Sequence, residues 1–260
     1  MNLYKSVVAT ACFAGATIAA GGSASLAAAP SSALALIALS SVVGLVIGDT
    51  LLFLGLVLAG ARPTVMLHAL APVFTLLMAV ALGLRLPEPL AMAGTILTTA
   101  GVLLVVSARE PTGAASRPHR ALGFAAALGA GVCQAGGILL AKEGLAHLGS
   151  LEAAGVRMGV AALALGISVV ATGRGREVLA LAGRPRPLAA MTAASLIGTT
   201  GGVFLMTYGI KHAHPAIAAA LTSCVPLFAL PLAALFLEER SGPLAYAGAL
   251  LAVAGIALIR

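Results

Sequence analysis

The clearest candidate for chemistry in this sequence is Asp49, a carboxylate inside a long apolar run that reads Gly48-Asp49-Thr50-Leu51. A charged side chain deep in a membrane helix costs about 2.5–3.5 kcal/mol on insertion scales unless it faces water or a partner. A single acid in such a place can bind and release a proton as its exposure changes, which couples solute movement to a proton gradient. The alternative is a structural carboxylate that accepts hydrogen bonds from hydroxyls such as those of Thr50 or Ser41.

Four further polar side chains lie within or beside apolar runs and could line a route for a solute. Gln134, among glycines, can donate and accept hydrogen bonds, so it suits either a cavity wall or a bond between helices. Arg157 and Lys5 could hold an anionic group of a substrate, or they could extend to the membrane surface. His68 is a candidate proton relay, although a buried histidine more often has a structural role.

The sequence carries none of the common enzyme motifs. It has no Gly-rich loop followed by Lys and Ser or Thr, no Gly-x-Ser-x-Gly, and no paired carboxylates that spacing could bring together. Cys12, Cys133 and Cys224 are too scattered for a disulfide framework or a metal cluster. We therefore expect a protein that is not an enzyme and binds no metal or cofactor. One enzymatic alternative stays open, a membrane-embedded enzyme for a polyprenyl lipid whose arginines within 174–186 would bind the diphosphate.

Composition places these residues in a membrane. The chain is 60% hydrophobic and 9% charged, with a mean hydropathy of +1.09, whereas soluble domains carry about 25% charged residues. Since lipid requires every backbone polar group to be satisfied internally, we expect an all-α bundle of membrane-spanning helices. The net charge of +7 comes mainly from arginines between apolar runs, which set membrane orientation, so no nucleic-acid partner is expected.

The apolar runs predict nine membrane-spanning helices. They cover residues 5–21, 33–59, 63–83, 88–107, 120–141, 151–172, 187–209, 215–237 and 242–259. The first run would also suit a signal peptide cleaved near Ala29 or Pro30. The spacing from Lys5 to Gly48, which is nearly that from Arg157 to Gly202, favours a retained helix.

The sequence repeats itself at an offset of 154 positions, because the pattern of residues 89–104 returns in residues 243–258. Further landmarks keep nearly the same register: Gly44 with Gly198, Gly48 with Gly202, Gly55 with Gly209, Pro72 with Pro226, and Lys5 with Arg157. The run at 120–141 has no counterpart in the first half. We therefore expect a first repeat at 1–108 that lacks its first helix and a second, complete repeat at 119–260. Five helices is an odd number, so the two five-helix units would have opposite orientations in the membrane.

The repeated glycines and prolines predict how the helices pack and bend. Gly44 and Gly48, like Gly198 and Gly202, lie one turn apart and would let a neighbouring helix approach closely. Pro72 and Pro226 each remove a backbone hydrogen bond, which favours kinks that could serve as gates.

At these residues the chain resembles the EamA-type branch of the drug/metabolite transporter superfamily. The resemblance rests on Gly48-Asp49-Thr50-Leu51-Leu52-Phe53, the stretches 67–74 and 221–228, the acidic turn Leu237-Glu238-Glu239-Arg240, and the Ala-Gly helices that close each half. It implies ten helices around a central cavity in the plasma (inner) membrane, used to export or exchange small metabolites or drugs. The chain departs from the pattern in its missing first helix and in Gly83-Leu84-Arg85-Leu86, where the family usually has a glutamate.

We therefore expect a secondary transporter that moves a small molecule, with or without protons, by alternating access. The missing helix suggests a homodimer or a partner that supplies it, and a truncated non-transporting subunit is the remaining alternative. The distribution of Lys and Arg places the N-terminus inside and the C-terminus outside. The resemblance instead implies a cytoplasmic C-terminus, so orientation stays open.

Overall fold

The computed structural model describes residues 2–107, 119–173, 175, 185–225, 227–228 and 242–258, which form helices joined by turns and short loops. Six described segments are long and apolar enough to cross a membrane: Ser31–Leu58, Pro63–Ala81, Pro89–Ser107, Arg120–Gly144, Ser150–Ala171 and Met191–His212. The chain is therefore an integral, multi-pass membrane protein.

The predicted count of nine spans is not confirmed. The run at 5–21 forms an 18-residue helix, Asn2–Ala19, that is not among the six. The run at 242–259 gives the shorter helix Pro243–Leu258. Most of 215–237 lies outside the described residues.

The chain divides into two compact units, and each of them takes segments from both sequence halves. The first unit comprises Met1–Val46 and Leu140–His212, and the second comprises Ile47–Leu139 and Ala213–Arg260. The units therefore do not coincide with the sequence repeats at 1–108 and 119–260, and the connector at 108–118 lies outside the described residues.

In the first unit, the N-terminal helix packs along the helix that begins at Ser150, and two glycines of the latter helix lie at the contact. Its helices are α1 (Asn2–Ala19), α2 (Ser23–Ala27), α3 (Ser31–Ser41), α9 (Ser150–Ala171), α10 (Pro185–Ala194) and α11 (Gly202–His212). A Cβ atom added at Gly155 would lie 3.3 Å from Phe13 Cβ, and one at Gly166 would lie 3.9 Å from Leu3 Cδ1. Leu3, near the start of α1, contacts the later residue Gly166 of α9, whereas Phe13 contacts the earlier residue Gly155. The helices α1 and α9 are therefore antiparallel.

In the second unit, two helix backbones approach closely at glycines. Its helices are α4 (Asp49–Leu58), α5 (Ala61–His68), α6 (Ala71–Ala81), α7 (Pro89–Ser107), most of α8 (Arg120–Gly144), α12 (Pro215–Thr222) and α13 (Pro243–Leu258). A Cβ atom at Gly248 would lie 2.7 Å from Gly101 O and Val105 N, and one at Gly255 would lie 2.7 Å from Gly94 O. Because these pairs run in opposite directions along the chain, α7 and α13 are antiparallel.

Two irregularities recur at matching positions of the repeat. A π-helix spans Val42–Gly48 in the first half and another spans Ser195–Gly201 in the second. Likewise α5 ends at His68 and α12 ends at Thr222, which is the same position 154 residues later. π-helical turns often mark functional sites, so their recurrence draws attention to the residues that follow them.

Candidate functional site

Asp49 begins α4 directly after the first π-helix and is half-buried in the second unit. Its carboxylate interacts electrostatically with the imidazole of His68 on α5. Ser41, one of its two suggested hydroxyl partners, instead donates its hydrogen to the backbone oxygen of Arg157, at 2.5 Å. A hydroxyl has a single hydrogen to donate, so Ser41 does not donate to Asp49. The other suggested partner, Thr50, follows Asp49 directly and is exposed, and a structural role for Asp49 stays an alternative.

The turn between α4 and α5 explains how Asp49 reaches His68. Gly60 adopts a φ of 95°, a left-handed conformation that suits glycine, and the chain reverses there. A Cβ atom at Gly55 would lie 3.0 Å from Thr64 Cγ2, so the two helices are in contact beyond the turn. Asp49 precedes Gly55 and His68 follows Thr64, which places the acid and the imidazole on the same side of this contact.

Two buried polar atoms of α5 lack a hydrogen-bond partner in the described part of the chain. They are the hydroxyl oxygen of Thr64, a residue with 0% exposure, and Nδ1 of His68. Buried polar atoms are nearly always satisfied by protein or water. Thr64 and His68 therefore have hydrogen-bonding capacity left for water or a solute.

Gln134 lies close to the level of Asp49 along α8. The glycine contacts pair Gly123 with Leu58 and Ala59, and Gly129 with Leu51, so α4 and α8 are antiparallel. Continuing these pairings brings the level of Asp49 to residues 131–133 of α8, within one turn of Gln134. The side chain of Gln134 is half-buried.

The two cationic candidates lie together in the first unit but at different levels. Arg157 on α9 is only 1% exposed, whereas Lys5 on α1 is half-buried. The register that pairs Phe13 with Gly155 places Arg157 level with residues 11–12 of α1. Lys5 is six to seven residues away from that level, about 10 Å at 1.5 Å per residue. A single small anion would therefore not bridge the two side chains in this conformation.

The comparisons with known proteins identify the family. The sequence profile of the EamA-like transporter family matches residues 121–260, more than half of the chain. The chain belongs to the EamA-like transporter family. A crystal structure of a protein with 20% sequence identity superimposes with a TM-score of 0.73, covering 99% of this chain and 86% of the other. At that identity the likeness shows the fold alone, and no curated protein matches the sequence.

The repeated glycines of this EamA-like chain differ between the two halves. Gly44 and Gly48 are buried, whereas Gly198 and Gly202 are exposed. No described atom from a neighbouring helix lies within 4 Å of a Cβ position at Gly198 or Gly202. The packing role predicted for the second pair therefore finds no partner within the described residues and stays a prediction.

Of the two prolines predicted to kink helices, the structure describes Pro72 but not Pro226. Helix α5 ends at His68 and α6 begins at Ala71, so the break lies just ahead of Pro72, which is buried. Pro226 lies outside the described residues. A gating role for these positions stays a prediction.

The sequence did not predict two features of the second unit. Thr64 lies one turn before His68, which puts both side chains on one face of α5, and this spacing is the signal that could have found it. The signal of the π-helices is weak, since only their glycines repeat.

Proposed function

We propose that this EamA-like chain is a secondary transporter that exports a small metabolite or drug by alternating access. In this mechanism two structurally related halves exchange roles, so a central site opens to one side of the membrane and then to the other. Membership of a transporter family supports the general class, and the contacts within each unit support the mechanism.

The observation that carries the proposal is the antiparallel packing of repeat-equivalent helices. Helices α7 and α13 derive from the same repeated sequence and cross antiparallel, with Gly101 against Gly248 and Gly94 against Gly255. Helices α1 and α9, which correspond through Lys5 and Arg157, are also antiparallel. Two copies of one unit in opposite orientations would produce this arrangement.

Asp49 and His68 support coupling to protons. A carboxylate that interacts with an imidazole can accept a proton from one side and release it to the other. Gln134, within one turn of the level of Asp49 on α8, would add a neutral donor and acceptor for the solute. The repeat counterpart of Asp49 is Val203, so the acid belongs to one half only.

Counterflow in proteoliposomes tests the proposal. Purified protein would be reconstituted into liposomes loaded with unlabelled amino acids, other small metabolites or cationic drugs, and uptake of the labelled compound would be followed. A carrier exchanges labelled for unlabelled solute, so transient accumulation is expected for at least one compound.

The same preparation would be incubated with a polyprenyl diphosphate and assayed for phosphate. Release of phosphate without counterflow of any compound would contradict a carrier and favour the enzyme. Protein-free liposomes, and liposomes containing heat-unfolded protein, provide the background for both assays.

A further inference from the structure

A cavity of about 450 Å³ lies among three helices of the first unit, α1, α2 and α9. Ala14 of α1, Leu26 of α2 and Val156 of α9 each contribute to its wall, and every residue that lines it belongs to this unit. Sites for small molecules typically measure about 300–1,000 Å³. Because the short helix α2 forms a third wall, the cavity suits a small molecule rather than a membrane-spanning helix.

Glu152 is the one charged residue among the described residues that line this cavity. It lies in the first turn of α9, where the backbone N–H groups of a helix favour a negative charge. The hydroxyl of Ser25 donates a long hydrogen bond of 3.5 Å to Oε1 of Glu152. A Cβ atom at Gly22 would lie 2.5 Å from the same oxygen, so this glycine leaves room for the carboxylate. The acid is thereby positioned against the turn between α1 and α2.

Two polar groups of the wall present hydrogen-bond acceptors to the cavity. Thr10 donates its hydroxyl hydrogen to the backbone oxygen of Ser6 at 2.7 Å, which leaves the lone pairs of its oxygen as acceptors. The carboxylate of Glu152, when ionised, also only accepts. A ligand that complements these groups carries a positive charge and N–H donors, as an alkylammonium does.

The rest of the wall is apolar and extends away from Glu152 along the same two helices. A second cavity, of about 600 Å³, is lined by apolar residues of α1 and α9 such as Val7 and Ile167. Between the two cavities, a Cβ atom at Gly159 would lie 3.7 Å from Thr10 Cγ2. The α1 residues that line the cavities are spaced by three or four positions and so share one face: Leu3, Val7, Thr10, Ala14 and Thr17. This face is about 21 Å long at 1.5 Å per residue, and the two cavities along it are called the α1–α9 crevice below.

We propose that the α1–α9 crevice binds a cationic amphiphile, with the ammonium group beside Glu152 and the apolar chain along α1 and α9. Glu152 lies at one end of the membrane span Ser150–Ala171. The charged group is therefore at the end of the span, and the chain points toward its middle. The crevice belongs to the first unit and Asp49 to the second, so the inference goes beyond the proposed function and does not depend on it.

Fluorescence quenching in phosphatidylcholine vesicles tests the site on the full chain. The sequence contains no Trp, so a single introduced Trp is the only one that emits. Ile18→Trp replaces a lining residue that is 71% exposed. Dodecylammonium brominated along its chain quenches Trp on contact, and saturable quenching is expected at position 18. The control is Leu250→Trp on α13, 72% exposed, where only non-saturable quenching by amphiphile dissolved in the lipid is expected. Non-saturable quenching at both positions would overturn the proposal.

The role of the charge is tested with Glu152→Gln in the Ile18→Trp chain. The amide keeps an oxygen that accepts from Ser25 but removes the negative charge. The concentration of dodecylammonium for half-maximal quenching should rise about threefold to tenfold, as for the loss of one ion pair of modest strength. Glu143→Gln, the same change at an exposed residue of α8, should leave it unchanged. An equal effect of the two substitutions would contradict the proposed head-group site.

The role of the chain is tested at Ala14, an exposed lining residue of α1. Ala14→Phe should remove the saturable quenching, because the ring fills the space of the alkyl chain. Brominated dodecanol, which has the same chain without the charge, should give no saturable quenching at the concentrations that saturate with dodecylammonium. Saturable quenching of equal strength by the alcohol would overturn the proposal.

A phospholipid is the competing occupant of the crevice. In vesicles of brominated phosphatidylcholine, dodecylammonium without bromine should displace the lipid and restore fluorescence at position 18 but not at position 250. No recovery at position 18 would show that a phospholipid retains the crevice. None of these measurements depends on transport, so their failure is distinguishable from a failure of the transporter assignment.

Discussion

At the scale of single residues, the proposed proton coupling depends on Asp49. This residue begins a helix just after a π-helical turn and interacts electrostatically with His68. Ser41, one candidate donor, is bonded to the backbone oxygen of Arg157 instead. We propose that Asp49 changes its protonation state during a transport cycle, with His68 as its titratable neighbour.

Replacing Asp49 with asparagine separates coupling from binding. Asp49→Asn keeps the size and hydrogen-bonding capacity of the side chain but removes the titrating group. Uptake driven by a pH gradient should fall to the level of protein-free liposomes, while counterflow without a gradient should persist. The matched control is Glu143→Gln, the same chemical change at an exposed position near the end of α8. Full gradient-driven uptake by Asp49→Asn would show that the acid is not the coupling group.

The sequence identified Asp49 because a carboxylate in an apolar run is costly, but it could not identify the neighbours of this acid. His68 comes near Asp49 because the chain reverses at Gly60 and α4 and α5 meet where Gly55 contacts Thr64. Arg157 and Lys5 were paired by repeat position, yet antiparallel packing separates their levels. Three-dimensional neighbours follow from helix contacts, which a single sequence does not contain.

At the scale of helices, close backbone contact between α7 and α13 organises the second unit. Helices inside a bilayer are surrounded by lipid rather than water, so the hydrophobic effect does not bring them together. Their association depends on tight van der Waals packing. Glycines at 94, 101, 248 and 255 bring the two backbones together. The hydroxyls of Thr95 and Thr99 donate to carbonyls one turn earlier, which satisfies them within α7.

A leucine at Gly101 should destabilise the protein strongly. The first added carbon would overlap the backbone of Ala252 and approach the carbonyl of Gly248, which cannot move as a side-chain tip could. Overpacking of this kind costs about 1–3 kcal/mol or more. The control is Ala100→Leu, on the exposed side of the same helix. Unfolding temperatures in detergent should fall for Gly101→Leu only, and similar values for both variants would refute the contact.

The elements were predictable to different degrees for physical reasons. Proline removes a backbone hydrogen bond and so constrains the backbone locally, and α5 ends at His68, four residues before Pro72, while the predicted gating kink stays a prediction. The π-helices depend on packing around their glycines, which local sequence does not specify. Gly198 and Gly202 show the limit of motif reading, because a Gly-x-x-x-Gly spacing allows close packing without revealing the partner.

At the scale of the whole molecule, the repeat in sequence is distributed over two compact units. Each unit takes segments from both halves of the chain, so neither half forms a compact unit by itself. The sequence revealed the repeat through its constant offset. It could not show that each compact unit combines segments from both halves of the chain. An inverted repeat accounts for the antiparallel crossing of equivalent helices in both units, and it underlies the proposed alternating access.

Opposite orientation of the repeats can be measured directly at Glu88 and Gly242, equivalent and exposed residues that immediately precede α7 and α13. In a chain whose three native cysteines have been replaced, Glu88→Cys and Gly242→Cys would each be treated with a membrane-impermeant maleimide, on intact and on permeabilised cells. We predict that one position reacts in intact cells and the other only after permeabilisation. Reaction of both positions from the same side of the membrane would contradict the inverted repeat and, with it, the proposed transport mechanism.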